Sequence, residues 1–414
     1  MSNWTPEWKV TINGYGEYTN VTLSNLTITS GRTDIYSQAY AGYCNVQIIN
    51  LDLSPILIDT NDQIIIQVKD STGTFVNIFG GYVTDIDVSV TSAGDSGINE
   101  VISILALGAL SKLPKNLYVD SLAKGYDGDQ IYTVLSQALF NQWNEVPAAL
   151  TWGTYNATTT WADAENNGLG EIDRPGNYEL AARAADTIDM ATLVNGFATS
   201  GLGYVYEDAQ GRIGYADSTH RAVYVTENGY VDLTGNHALA AGIKTSKRIG
   251  DIRNNVTITY KNGQQVSASS ADSISLYGQQ AYDVQTSLEN VADATSQANF
   301  YLTLRSYPEA QFRSITFPIQ NPELPDDDRD DLLNVFMGMP VDIQDLPSNI
   351  NGGQFQGFVE GWTFQASYNG LFLTLTVSPL EYSLQQYRWN SVPITEKWNT
   401  VSPILDWQHA TVVA

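Results

Sequence analysis

The sequence is poor in sulfur and in positive charge. Cys44 is the only cysteine in 414 residues, so no internal disulfide can form. Its place in an apolar run predicts an inert, buried thiol in a chain made in a reducing cytoplasm. Lys and Arg together number 20 against 45 Asp and Glu, giving a net charge of −25. The acidity is spread along the chain rather than gathered in a tail. No basic stripe is left to hold phosphates, which excludes tight nucleic-acid binding and is compatible with a surface that DNA passes without sticking. There is no N-terminal apolar segment of the signal-peptide kind and no run of about 18 apolar residues, so neither a signal peptide nor a membrane span is expected. The longest greasy run, Val101–Leu110, suits a buried strand.

Catalytic and metal-binding signatures are missing too. His220, His237 and His409 lie far apart, none in an HxxxH or HExxH frame, and one cysteine leaves a zinc site short of ligands. No GxSxG elbow, P-loop or GxGxxG occurs. Asp326, Asp328 and Asp330 have the one-three-five spacing of a calcium loop. Position six is Asp331 instead of Gly, however, and position twelve is Met337 instead of Glu. A solvated loop capping an Asp331–Phe336 turn is expected there. Among so many acidic residues nothing picks out a catalytic carboxylate pair. The expectation is a non-enzymatic protein with no cofactor and no metal.

What the chain does have is a duplication. Phe79-Gly80-Gly81-Tyr82-Val83 aligns without a gap on Phe355-Gln356-Gly357-Phe358-Val359, 276 residues later. Each copy is followed by a second apolar run, Val101–Leu110 and Leu371–Leu380, and preceded by another, Val46–Ile49 and Ile315–Ile319. Two related β-units in one chain suggest a protein that must present a similar surface twice, which is a structural demand more often than a catalytic one.

The fold class expected is mainly β with an α+β insertion, containing two related small β-barrels and an extended C-terminal arm. Residues 1–115 read as short alternating strands separated by Gly, Pro, Asn and Asp, a first barrel. Residues 116–245 form the insertion. It has helices expected at Asp129–Trp143 and Asn177–Phe197 and a hairpin at Gly203–Tyr215 around Asp208–Gly211. Residues 246–380 make the second related unit, which includes a helix at Asp293–Arg305. In residues 381–414, Trp389, Trp398 and Trp407 recur every nine residues. Pro393 and Pro403 interrupt any regular helix. The three indoles are the candidate partner-interface residues: they either fold back on their own subunit or cross to a neighbouring chain.

Together these segments resemble the tail-hub proteins of tailed bacteriophages, the minor tail or baseplate hub proteins of long-tailed phages. The resemblance runs over nearly the whole chain. It rests on Trp8–Asn50, Phe79–Val88, Tyr204–Arg221, Ile252–Gly263, Ser273–Gly278, Met337–Pro347 and Gly357–Ser367 in that order. It implies a homotrimer in which each subunit supplies two related barrels to a pseudo-sixfold ring at the distal tail tip. Such a ring would contact distal-tail or tail-tube proteins, the tape-measure protein and tip or fibre proteins, and would let DNA through without binding it specifically. Some relatives carry an appended lysin or peptidase module that is not seen here. The competing readings are a receptor- or carbohydrate-binding tail-tip protein, which the abundant Tyr and Trp would suit, and a cell-wall hydrolase.

Overall fold

A computed structural model describes residues 4–12, 15–51, 54–92, 98–142, 169–308, 311–348, 350–367 and 370–380. The C-terminal arm, with Trp389, Trp398 and Trp407, lies outside the described residues, as does His409.

The first unit is all β: β1 (Trp8–Ile12), β2 (Gly16–Tyr18), β3 (Val21–Gly31), β4 (Tyr40–Asn50), β5 (Gln63–Lys69), β6 (Phe75–Ser92) and β7 (Ile98–Leu107). Period-two alternation drives these strands. In β5, for example, Ile64, Ile66 and Val68 are buried while Gln63, Ile65, Gln67 and Lys69 face outward. The insertion follows, with β8 (Leu117–Tyr118), β9 (Gly125–Tyr126), α1 (Asp127–Gln142), β10 (Leu169–Ile172), β11 (Glu179–Leu180), β12 (Ile188–Asp189), α2 (Met190–Ser200), β13 (Tyr204–Glu207), β14 (Ile213–Ala216) and α3 (His220–Asn228). Next come β15 (Val231–Thr234), β16 (Lys244–Ser246), β17 (Asn255–Tyr260), β18 (Gln264–Ser269), α4 (Ala271–Tyr277), β19 (Ala281–Gln285) and α5 (Val291–Arg305). The chain then runs through β20 (Gln311–Pro318), α6 (Asp326–Leu333), β21 (Pro340–Gln344), β22 (Phe355–Ser367) and β23 (Gly370–Pro379).

The fold is mainly β, as expected. One large sheet runs β16-β20-β23-β22-β3-β4-β7-β6-β5-β1-β2, with β21 and β15 branching from β22. The two units therefore stand edge to edge, joined where β22 pairs antiparallel with β3, from Gly361 opposite Gly31 to Ser367 opposite Asn25. Residues of both units share one apolar cluster, among them Ile28, Val46, Ile104, Ile315, Phe364 and Leu373. A second cluster gathers α1, α2 and the β13–β14 hairpin with Val256, Ile258, Val284 and Ala298 of the β17–β19 sheet and α5.

The duplication holds residue by residue. Ile66 faces Phe79 in β5–β6, and Ile343 faces Phe355 in β21–β22. Tyr82 faces Leu107 and Val83 faces Ala106; Phe358 faces Ser378 and Val359 faces Val377. Both long strands then skip one residue in a β-bulge, at Thr84 and at Glu360. Asn61 and Gly338 both have positive φ, and each donates its backbone N–H at 2.7 Å to the carbonyl of Val83 or Val359. The geometry also explains the shared Phe-x-Gly. The Phe79 ring fills the space where a Cβ on Gly81 would sit, and Phe355 does the same over Gly357.

Two local expectations change. The segment before α2 is not helical: residues 179–180 and 188–189 are short strands, and the helix begins only where Asp189 accepts the Thr192 N–H at 2.8 Å. At the other end of that region Asp127 is the first residue of α1, and its carboxylate accepts from Tyr178 and Tyr215. The acidic stretch 326–331 is helical, not a loop. α6 starts at Asp326 because Arg329 folds inward, where it donates to the carbonyls of Ile319, Asn321 and Leu324.

Candidate functional site: the seam between the two units

Glu360, the bulged residue of β22, is fully buried. Arg32, just past the end of β3, donates Nε to its Oε2 at 2.6 Å. Arg221 of α3 donates from Nη1 and Nη2 at 2.7 and 2.9 Å, and the Ser378 hydroxyl of β23 completes the shell. Burial opposes ionisation of this carboxyl, but Arg221 and then Arg32 outweigh it and hold the group well below the usual carboxylate range. Both guanidinium groups also lie over the Tyr204 ring, 5.1 and 4.6 Å from its centroid. One carboxylate thus ties together the first unit, the insertion and the second unit.

A second buried acid docks the insertion onto the first unit. Glu207, at the end of β13, accepts the Gly42 N–H at 2.5 Å and the Leu110 N–H at 3.0 Å. Burial pushes its carboxyl up to about 7, against the pull of those two donors. A Cβ on Gly42 or Gly108 would fall about 2 Å from the Glu207 carboxylate, which is why glycine stands at both positions. A third acid, Asp127, accepts the Tyr215 hydroxyl at 2.5 Å and the Tyr178 N–H at 3.0 Å, and burial raises it to about 6.

These groups are all engaged with protein partners. His220 pairs through Nδ1 with Asp173 at 2.7 Å, while His237 lies 4.0 Å from Asp328. Among the described residues no group of three or more His, Cys, Asp or Glu side chains is arranged to hold a metal. Cys44 is buried, and burial pushes its thiol far above the ordinary range. A cleft of about 60 Å³ lies beside Arg32, Tyr36, Gln38 and Arg221, room for a few waters.

The sheet face opposite the core has its own pattern. Thr316, Thr374, Thr363 and Thr29 stand side by side across four strands and across the seam, with the Thr316 and Thr374 hydroxyls 2.9 Å apart. Gln365, Thr27 and Asn45 make the middle of a second row, between Phe372 and Leu105; Ser367, Asn25, Gln47, Ser103 and Asp87 make a third. No lysine or arginine occurs in these rows.

No protein-family model and no curated protein matches the amino-acid sequence. Solved structures do. A 43 kDa tail protein of prophage MuSo2 from Shewanella oneidensis superposes with a TM-score of 0.54 at 11% identity, over 91% of this chain and 99% of that one. The tail protein from Neisseria meningitidis MC58 gives 0.59 at 12% identity, over 92% and 98%. The chain has a phage tail-protein fold. Within that fold the candidate residues read from sequence, Trp389, Trp398 and Trp407, lie outside the described residues. Sequence reasoning missed the seam triad, because Arg32, Arg221 and Glu360 are far apart in sequence and fit no motif. The one available signal was Glu360 in the second Phe-x-Gly-x-Val segment, an acid among buried neighbours where the first copy has Thr84.

Proposed function

We propose that this chain is a structural tail-hub protein. Three copies form a ring of six related units at the distal tail tip, joining the tail tube or distal tail ring to the tip below. The observation that carries this reading is the residue-level equivalence of the two meanders, down to the bulges at Thr84 and Glu360. Two interchangeable units per chain let a threefold assembly sit on a sixfold tube. The tail-protein fold agrees with this role.

The polar rows on either side of the seam, with no lysine or arginine among them, support a second element of the proposal, that this part of the sheet face lines the channel for DNA. Thr, Ser, Asn, Gln and Asp side chains offer phosphates no cation to hold. In this reading the protein has no enzymatic task. The Trp389, Trp398 and Trp407 arm anchors neighbouring chains, and the distal-tail, tape-measure and tip or fibre proteins are the partners. Immunogold electron microscopy of the source phage particles tests it: label confined to the distal tail end is the expected result, whereas label along the tail or on the capsid overturns the assignment.

A further inference from the structure

β6 and β22 are counterparts, yet only β22 is covered on both edges. Beyond its bulge, β22 pairs with β23 on one side and β3 on the other. Beyond its own bulge, β6 pairs with β7 from Asp85 to Ser92, and its pairing with β5 has already ended at Tyr82. Among the described residues the second edge of Asp85–Ser92 has no strand on it. The side chains differ in the same sense. Phe364 and Ala366 of β22 are 0% and 6% exposed, whereas their counterparts Val88 and Val90 are 57% and 64% exposed. A bare apolar edge of this length is a liability unless something covers it.

The opposite end of the sheet shows the complementary gap. β16 pairs with β20 as β3 pairs with β4. The far edge of β3 carries β22, while the far edge of β16 has no strand among the described residues. Among the described residues each chain therefore ends in two open edges whose internal counterparts, β22 and β3, are bonded to each other.

We infer that β6 of one copy pairs antiparallel with the Lys244–Arg248 segment of a second copy, repeating between molecules the seam that joins β22 to β3 within one. Lys244 lies opposite Ser314 as Thr27 lies opposite Asn45, so it stands where Thr27 stands. Transferring the β22–β3 register puts Ser89 opposite Lys244 and Asp85 opposite Arg248. The charges complement each other: Asp85 and Asp87 are exposed on β6, and Lys244, Lys247 and Arg248 are exposed on the facing segment. The contact is head-to-tail and uses main-chain pairing, so it either closes into a ring or runs on as a filament. Closure at three copies rests on the hub reading; the pairing itself does not.

The test is a Ser89→Cys, Lys244→Cys double variant of the full chain, oxidised and run on a denaturing gel beside light scattering of the same sample. Seven strand spacings separate the two positions along the sheet of one chain, roughly 33 Å; a bond within one chain would leave a single-chain band, so a covalent dimer reports a bond between two molecules. Covalent dimers and trimers from the double variant, with single-chain bands from each single variant, are expected. A Val88→Asp, Val90→Asp variant should dissociate the oligomer while keeping its far-UV dichroism. An oligomer that forms without cross-links and ignores the Asp substitutions places the interface elsewhere and leaves the hub reading standing. Cross-linked filaments that never close support the pairing and overturn the ring. A chain that stays single at all concentrations overturns both.

Discussion

Arg32 and Glu360 meet across the seam with Nε 2.6 Å from Oε2, although 328 residues separate them, and neither side chain is more than 5% exposed. Removing the negative partner leaves two guanidinium groups in the interior with no counter-charge. Breaking a buried pair in this way costs about 3–5 kcal/mol, so Glu360→Gln is expected to lower stability by that amount in chemical denaturation. Glu17→Gln breaks the exposed Lys9–Glu17 pair, where Glu17 is 60% exposed, and is expected to cost less than about 1 kcal/mol.

The same pair shows where sequence reading reaches and where it stops. The duplicated Phe-x-Gly-x-Val segments are legible because they are local: a ring folded over a glycine two residues on needs only a strand. The β13–β14 hairpin is legible for a similar reason, since Asp208 and Gly211 fix its turn within four residues. The seam is not legible. Nothing near Arg221 in the chain says that its guanidinium will meet a bulge in β22, because that contact is set by how three segments pack. The segment before α2 misled for a related reason. Leu180 and Ile188 have helical spacing, but Leu180 pairs into β11 and Ile188 into β12, with Tyr118 its partner.

The glycines around Glu207 give a sharp packing test. Gly42→Ala or Gly108→Ala would place a methyl about 2 Å from the Glu207 carboxylate. Overpacking of this kind typically costs about 1–3 kcal/mol, so each variant should unfold at a clearly lower denaturant concentration. Gly196, in the interior of α2, has open space where its Cβ would be. Gly196→Ala should therefore be neutral or stabilising, by about 0.5–1 kcal/mol. Equal effects at Gly42 and Gly196 would remove the close approach as the reason for glycine.

Stability should fall as pH rises through neutrality. Glu207 and Asp127 hold their protons more tightly folded than unfolded, with burial raising them to about 7 and about 6. Their contribution is fully present below their unfolded values near 4 and is lost as pH climbs through 6 and 7. For Glu207 alone this amounts to roughly 3 kcal/mol, at about 1.4 kcal/mol per pH unit. His220 acts in the same direction: burial opposes its charge, but the Asp173 carboxylate outweighs that and raises its pKa. Glu360 works oppositely, because its folded value is depressed, so its contribution is lost only as pH drops below about 4.5. The melting temperature is therefore expected to be higher at pH 5 than at pH 8, and an Asp127→Asn, Glu207→Gln double variant should flatten the difference. A wild-type profile that rises from pH 5 to pH 8 would contradict the buried-acid account.

The channel reading makes its own demand on the threonine rows. Thr29 and Thr363 face each other across the seam, and Thr27 lies in the adjoining row opposite Gln365. The wild-type chain should show no measurable duplex-DNA affinity at physiological salt. A Thr27→Lys, Thr29→Lys, Thr363→Lys variant puts three cations on that face of every chain. If this face lines the DNA path, particles carrying the variant should assemble but release their DNA more slowly, and the slowing should fade as salt rises, because each phosphate contact releases a counterion. If the face points outward, the purified variant should still gain salt-sensitive DNA binding while ejection from particles stays at the wild-type rate. The two measurements together separate threonine rows that merely lack positive charge from rows whose lack of it lets DNA through.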